Sequence, residues 1–174
     1  MRLLLVLLVA TSSFATLGAT PNFEAGQVWE YKTRAGEEES SLLIDKVEEY
    51  PKVGRVFHIS LSKIHIKNGA ITIADDLPHL PVSIETLGSS CTRLIGHSDP
   101  NPMYLAGYQM WRKAFDAGRA GVYTISIVEI LDTTETLLQQ SAKGDISKSN
   151  YRSSGRAVNK VPVVMLRRAA QLWR

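Results

Sequence analysis

The chain has 174 residues, of which 44% are hydrophobic and 21% are charged, and it holds a single cysteine. This composition is typical of one globular domain and excludes a collagen-like, fibrous or wholly disordered chain. One cysteine also excludes an internal disulfide framework and a zinc site built from several cysteines.

The first nineteen residues have the pattern of a secretory signal. Arg2 precedes an apolar run over residues 3–10, and small residues follow as far as Ala19. A positive charge, an apolar run and small residues in this order are typical of a segment that is removed on export. We place the cleavage after Ala19, with Ala15 as the alternative, and expect a periplasmic or extracellular protein.

The residues that follow predict antiparallel strands. Residues 27–34 and 41–48 are rich in aromatic and β-branched side chains and are separated by a turn. In a third strand Phe57 and its apolar neighbours lie on one face, while His58 lies on the other, which we expect to be ordinary polar surface. The sequence Asn68-Gly69 predicts a two-residue hairpin turn that places Ile66 opposite Ile71.

Residues 75–82 are interpreted as a loop that contains Pro78, His79 and Pro81. Asp75, Asp76 and His79 form the densest group of ionisable side chains in the sequence. Two adjacent carboxylates and an imidazole are able to bind a divalent ion or to perform acid–base chemistry. The alternative is a solvated turn in which the aspartates accept hydrogen bonds from the backbone. We keep these three residues as binding candidates and commit to no metal site and no catalytic residue.

Helices are predicted in the second half of the domain. Ser83 begins a short helix, and a longer one follows Asn101 with aromatic residues at helical spacing on one stripe. The stripe consists of Tyr104, Tyr108, Trp111 and Phe115. Such a stripe is usually buried core, but Tyr108 and Trp111 are also candidates for lining a ligand groove. Residues 122–130 are interpreted as a further strand, and Asp132 with Glu135 predicts the start of a last helix of about two turns.

This order of elements predicts an α+β fold with an antiparallel hairpin sheet of about five to six strands. We expect one longer and one or two short helices to pack on the sheet. The organisation is a signal peptide over residues 1–19, a single domain over residues 20–140 and a flexible basic tail over residues 141–174.

The predicted tail differs from the rest of the chain in charge. Residues 141–174 carry eight basic residues and one acidic residue, whereas residues 1–140 carry twelve basic and sixteen acidic residues. The last part of the tail is apolar and basic, and it would form a short amphipathic helix once docked. Its docking on an anionic membrane surface would use Arg167, Arg168 and Arg174; a solvated terminus is the alternative.

Motifs that identify common enzyme classes are missing from the sequence. It has no phosphate-binding glycine loop, no Gly-x-Ser-x-Gly elbow and no His-Glu-x-x-His motif. We therefore expect no cofactor, and we expect Cys91 to be a buried and inert thiol. We expect no nucleic-acid partner, because of the secretion signal and because no basic patch interleaved with aromatic residues occurs in the domain.

Several stretches of the domain resemble a family of uncharacterised small exported bacterial proteins. The resemblance covers about residues 23–130 and rests on Phe23 to Arg34, Glu37-Glu38, Leu42 to Glu48, His58-Ile59-Ser60, Pro78 to Ser83 and Gly107 to Arg112. It implies a bacterial source and assigns no catalytic residue.

The sequence favours a non-enzymatic, exported protein-binding module, such as an inhibitor or an accessory factor of the cell envelope. One alternative is a small secreted hydrolase that uses Asp75, Asp76 and His79. The other is a protein that attaches to the envelope surface through its basic tail.

Overall fold

A computed structural model of the protein describes residues 21–68 and 71–142. The predicted signal peptide and its cleavage site lie outside these residues, as do Arg167, Arg168 and Arg174 of the predicted tail. In chain order the elements are β1 Gln27–Tyr31, β2 Ser41–Tyr50, β3 Gly54–Ser62, β4 Ile66–Asn68, β5 Ile71–Ala74, β6 Leu77–Val82, α1 Ile84–Ser90, β7 Cys91–His97, α2 Tyr104–Asp116 and α3 Ile127–Ala142.

Five strands form one antiparallel sheet in the order β6-β3-β2-β1-β7, and β4 pairs with β5 in a separate two-stranded sheet. The α+β class with an antiparallel sheet, predicted from the sequence, is confirmed. The described residues contain seven strands, and two helices are long, since α2 has 13 residues and α3 has 16. None of the helices in the described ranges is long and apolar enough to cross a membrane.

The main core lies on one face of the five-stranded sheet. It joins the strands to α1 and α3 and consists, among the described residues, of sixteen buried hydrophobic side chains. They are Phe23, Trp29, Tyr31, Leu42, Ile44, Phe57, Ile59, Leu61, Ile64, Ile66, Leu80, Val82, Leu87, Ile127, Ile130 and Leu131. Each large side chain buried in this way stabilises the fold by roughly 1.5–3 kcal/mol relative to exposure, so this face provides most of the stability.

Helix α2 covers the opposite face. Side chains alternate along a strand, so Val56 and His58 of β3 point away from the main core that holds Phe57 and Ile59. Val56 packs there with Trp111 of α2 and with Val122 in a second, smaller cluster. The expectation that His58 is polar surface was wrong, because α2 covers this face and the His58 side chain is fully buried.

A bulge in β2 determines which of its residues face α2. Ile44 pairs with Ile59 and Lys46 with His58, so Asp45 is an extra residue in β2. One extra residue reverses the phase of a strand. Leu42 and Ile44 therefore belong to the main core, whereas Lys46 and the alternate residues beyond it point toward α2.

The interpretation of residues 75–82 as a loop was wrong for most of this segment. Leu77–Val82 form β6, which pairs antiparallel with β3 and is an edge of the sheet. Proline has no N–H to donate, and an edge strand tolerates it because one side of the strand needs no partner. Pro78 and Pro81 therefore did not exclude a strand here.

The hairpin after β3 has a different register from the predicted one. Asn68 pairs with Ile71 and Lys67 with Thr72, and a further irregularity brings Ile66 opposite Ala74. The two-residue turn at Asn68-Gly69 would instead have placed Ile66 opposite Ile71. Packing explains part of the difference: Ile64 and Ile66 are buried in the main core, whereas Ile73 is 40% exposed.

The predicted strand over residues 122–130 is not formed, since α3 begins at Ile127 and only Tyr123 makes a bridge, to Val82. Ser126 and Glu129 form the capping box of this helix. The Ser126 backbone N–H donates to Glu129 Oε2 over 3.0 Å, and the Glu129 N–H donates to Ser126 Oγ over 3.4 Å. The prediction that the helix starts at Asp132 was wrong because this earlier box satisfies the helix N-terminus.

Candidate functional site

A cluster of ionisable side chains lies between α2 and the sheet face that α2 covers. Four elements contribute: β2 provides Lys46, Glu48 and Tyr50, β3 provides His58, β6 provides His79, and α2 provides Tyr108 and Arg112. We call these seven residues the histidine network. The β2 bulge and the alternation along β3 and β6 place their side chains on one face.

A continuous chain of hydrogen bonds runs through the network. His58 Nδ1 lies 3.0 Å from His79 Nε2, and His58 Nε2 lies 3.1 Å from Glu48 Oε2. Pro81 of β6 is directly opposite His58. His79, two residues earlier in β6, is thus a diagonal neighbour of His58, which is within reach of a ring.

Glu48 is the centre of the polar contacts. The hydroxyl of Tyr50 donates to its Oε2 over 2.9 Å, and the hydroxyl of Tyr108 donates to its Oε1 over 3.1 Å. Lys46 Nζ lies 3.0 Å from Oε1 and 2.9 Å from the Tyr108 hydroxyl oxygen. Burial acts to raise the pKa of Glu48, but the bonds from Lys46, Tyr50 and Tyr108 outweigh it and lower the pKa to about 2. Glu48 is therefore ionised at neutral pH.

Both histidines are neutral at neutral pH. Burial lowers the pKa of His58 to about 4, even though Glu48 acts in the opposite direction. Burial also lowers the pKa of His79 to about 3, with a further contribution from His58. An imidazolium held in a site of low polarity loses more hydration than the neutral ring does.

The charge on Glu48 determines where the protons of the two rings lie. A carboxylate only accepts hydrogen bonds, so His58 donates from Nε2 and its Nδ1 is an acceptor. His79 then donates from Nε2 to His58 Nδ1, and the lone pair of His79 is on Nδ1. The arrangement is a hydrogen-bonded chain that leads from Glu48 through His58 to His79, and the Nδ1 atom of His79 faces Gly107 of α2.

Aromatic rings enclose the two histidines. The centre of the His58 ring lies 4.9 Å from that of Tyr108 and 4.8 Å from that of Trp111, and the two imidazoles are nearly parallel with their centres 5.2 Å apart. Trp111 is held in place by its own hydrogen bond, in which Nε1 donates to the Gly121 carbonyl over 2.9 Å.

Three of the candidates chosen from the sequence meet in this network: His79, Tyr108 and Trp111. Asp75 and Asp76 lie apart from it. Asp75 Oδ1 is 3.3 Å from His65 Nδ1, and Asp76 Oδ1 accepts from the Lys63 backbone N–H over 3.1 Å. The predicted group of Asp75, Asp76 and His79 is thus divided, because alternation along β6 points His79 toward α2.

Sequence reasoning missed four members of the network and interpreted His58 as surface. The four are Lys46, Glu48, Tyr50 and Arg112. One sequence pattern could have indicated this site. The aromatic stripe on α2 must pack against a face of the sheet, and the face of β3 that holds His58 was not assigned to the main core. Within the described ranges, no group of three or more His, Cys, Asp and Glu side chains is arranged to hold a metal.

Cys91 is at the start of β7 and is half-buried against the main core. Burial raises the pKa of its thiol to about 12, so the thiolate that reacts as a nucleophile is scarce at neutral pH.

Fold and site together define an α+β protein with a partly buried histidine–carboxylate network between an antiparallel sheet and one helix. Comparisons of the chain with protein families, with curated proteins and with solved structures find no match.

Proposed function

We propose that this is an exported, non-enzymatic protein-binding module, an accessory factor or inhibitor, that binds an extended segment of another exported protein along β7. The observation that carries the proposal is the outer edge of β7. This strand pairs with β1 on one side, and among the described residues no strand pairs with its other side.

The side chains of β7 support this proposal. Leu94 is 41% exposed and Ile95 is 43% exposed. Leu94 pairs with Trp29 and Gly96 with Val28, so Ile95 is an extra residue at a bulge of β7. Both side chains are exposed apolar surface on the strand that ends the sheet. An extended segment that adds to β7 would bury both side chains while its backbone bonds to the strand.

The two edges of the sheet differ in what they offer to such a segment. β6 contains Pro78 and Pro81, which have no N–H and so blunt that edge. β7 contains no proline and has an N–H at every position. The unpaired edge of β7 offers backbone N–H and C=O groups, so the partner in this proposal is an extended chain rather than a helix.

In the experiment, the immobilised protein, residues 20–174, captures partners from envelope and secreted fractions of its source. Binding is then measured with the purified partner. We expect stoichiometric binding that is lost in a Leu94→Lys, Ile95→Lys double variant. Val53→Lys, at a side chain that is 46% exposed in the β2–β3 turn, is the matched control and should bind normally. Hydrogen exchange of the β7 amides should slow in the complex.

Two results would contradict the proposal. One is a partner that binds the double variant as well as the unchanged protein. The other is self-association that the double variant abolishes, since the occupant of β7 would then be a second copy. Thermal unfolding of each variant shows whether the fold is intact.

The charge pattern favours a second candidate function, attachment to an anionic membrane surface through the basic residues of 141–174. The test is binding to vesicles with and without anionic lipid, at low and high salt, before and after deletion of residues 161–174. Undiminished binding by the truncated protein would exclude it.

A further inference from the structure

We propose that the pair of His58 and His79 is an acid-sensitive latch, which holds α2 on the sheet at neutral pH and releases it when both imidazoles are protonated. The latch is independent of the β7 edge and concerns the opposite end of the sheet.

The direct contact between the rings requires at least one neutral imidazole. Over the 3.0 Å that separate His58 Nδ1 from His79 Nε2, one nitrogen must accept the proton that the other donates. When both rings are protonated, two N–H groups face each other and two positively charged rings lie with their centres 5.2 Å apart. The contact is then repulsive.

The charges around the pair do not compensate for a second proton. Facing it are Glu48, Lys46 and Tyr50 from β2 and Tyr108 and Arg112 from α2. Glu48 is the one anion in this set, and it already bonds to Lys46 and both tyrosines. Arg112 Nη1 lies 3.7 Å from Glu48 Oε1, but its Nε atom bonds to Asp116 of the same helix over 3.0 Å. Each of the two carboxylates thus already has a cation beside it.

The packing indicates that α2 is the element that moves. The rings of Tyr108 and Trp111 lie directly on His58, and Gly107 lies on His79. Among the described residues, the hydrophobic contacts between α2 and the sheet belong to the small cluster of Val56, Trp111 and Val122 and its partly buried neighbours. The larger main core on the other face holds α1 and α3. A helix with few buried apolar contacts opens before the rest of the structure does.

Release would expose the aromatic stripe of α2, which includes Tyr108 and Trp111. Burial lowers the pKa of both histidines, to about 4 for His58 and about 3 for His79. Both are protonated more readily in the opened protein, so acid favours opening. At acidic pH the protein would therefore adopt a second conformation, in which α2 is released from the sheet.

The test uses the full chain labelled with 5-fluorotryptophan and observed by fluorine NMR from pH 7 to pH 3. Trp111 reports on the latch and Trp29 on the main core, and single Trp→Phe variants assign the resonances. We expect the Trp111 resonance to shift at a higher pH than the Trp29 resonance. Transitions of Trp111 and Trp29 that coincide at every pH would overturn the proposal.

Two variants separate the latch from general acid unfolding. His79→Gln keeps a side-chain N–H for His58 but takes up no proton, so its Trp111 transition should move to lower pH. His65→Gln, at a partly exposed histidine outside the network, should leave the transition in place. An unmoved transition in His79→Gln would contradict the latch.

A measurement on the unchanged protein covers the case in which His79→Gln does not fold. Nitrogen shifts of the imidazoles report protonation directly, and they should change over the same pH range as the Trp111 resonance. Protonation of both rings without any change at Trp111 would overturn the proposal.

Discussion

Gly107 of α2 lies so close to His79 of β6 that a Cβ atom added to the glycine would be 2.6 Å from the Cβ of His79. Neither backbone is able to yield without displacing the other element. This contact fixes the distance between α2 and the sheet edge, and with it the geometry of the histidine network.

Gly107→Ala should therefore destabilise the protein by about 1–3 kcal/mol, as overpacking usually does. The effect opposes the helix propensity of alanine, which favours the substitution by ~1 kcal/mol. Gly88→Ala is the matched control, because Gly88 is also helical and has no atom within 4 Å of an added Cβ. Urea unfolding should show a loss of stability for Gly107→Ala and a gain or no change for Gly88→Ala. Equal changes in stability for the two variants would show that the close contact at Gly107 does not affect the free energy of unfolding.

Ser126 begins α3, and Ser126→Ala should lower the free energy of unfolding by ~1 kcal/mol through loss of the cap. Asp132→Ala provides the comparison, since the sequence pattern predicted that residue as the cap whereas it lies inside the helix. Its side chain is exposed and contacts Arg34 over 3.4 Å. Denaturation of the two variants side by side should show the larger loss for Ser126→Ala. The reverse order would argue for a helix that starts at Asp132.

Arg34 connects the β1–β2 turn to α3. It bonds to Glu37, which is 3% exposed, over 3.0 Å and to Glu135 over 2.9 Å. Arg34→Ala should cost about 3 kcal/mol, because it leaves the Glu37 carboxylate buried without its cation. Arg93→Ala removes an equivalent arginine–glutamate pair that is exposed, with Glu30, and should change little. Similar melting temperatures for the two variants would refute this distinction.

Asp45 is the extra residue of the β2 bulge and should give stability an unusual pH dependence. Burial raises the pKa of its carboxyl to about 6, although bonds from the Asn101 N–H and from Ser60 act to lower it. Its Oδ2 atom is buried and has no hydrogen-bond partner in the described part of the chain. The folded protein therefore takes up a proton at higher pH than the unfolded chain does.

The contribution of Asp45 is most favourable below pH 4 and is lost as the pH rises through about 6. Asp45→Asn keeps an acceptor for the Asn101 N–H and carries no charge. We expect the variant to be more stable than the unchanged protein at pH 7, by at most about 3 kcal/mol, and the difference to shrink toward pH 4. Unfolding measured from pH 4 to pH 7 tests this, and a difference that is constant with pH would exclude Asp45 as its source.

Local patterns in the sequence predicted the class of the fold and most of its elements. Alternating residues identified β1, β2 and β3, and the spacing of the aromatic residues identified α2, because the period of buried side chains differs between strands and helices. The same stripe made Tyr108 and Trp111 candidates before any partner for them was known. The signal pattern and the charge of the tail likewise belong to the sequence alone.

Tertiary structure decided the rest. The bulge at Asp45 reverses the phase of β2, and no local pattern requires it, so the pairing with β3 was needed to point Glu48 toward His58. The edge position of β6 allowed a strand through two prolines and moved His79 from a loop onto the face under α2. The histidine network depends on four elements that are distant in sequence. Their meeting follows from strand order and from burial of one helix face, which a local pattern does not contain.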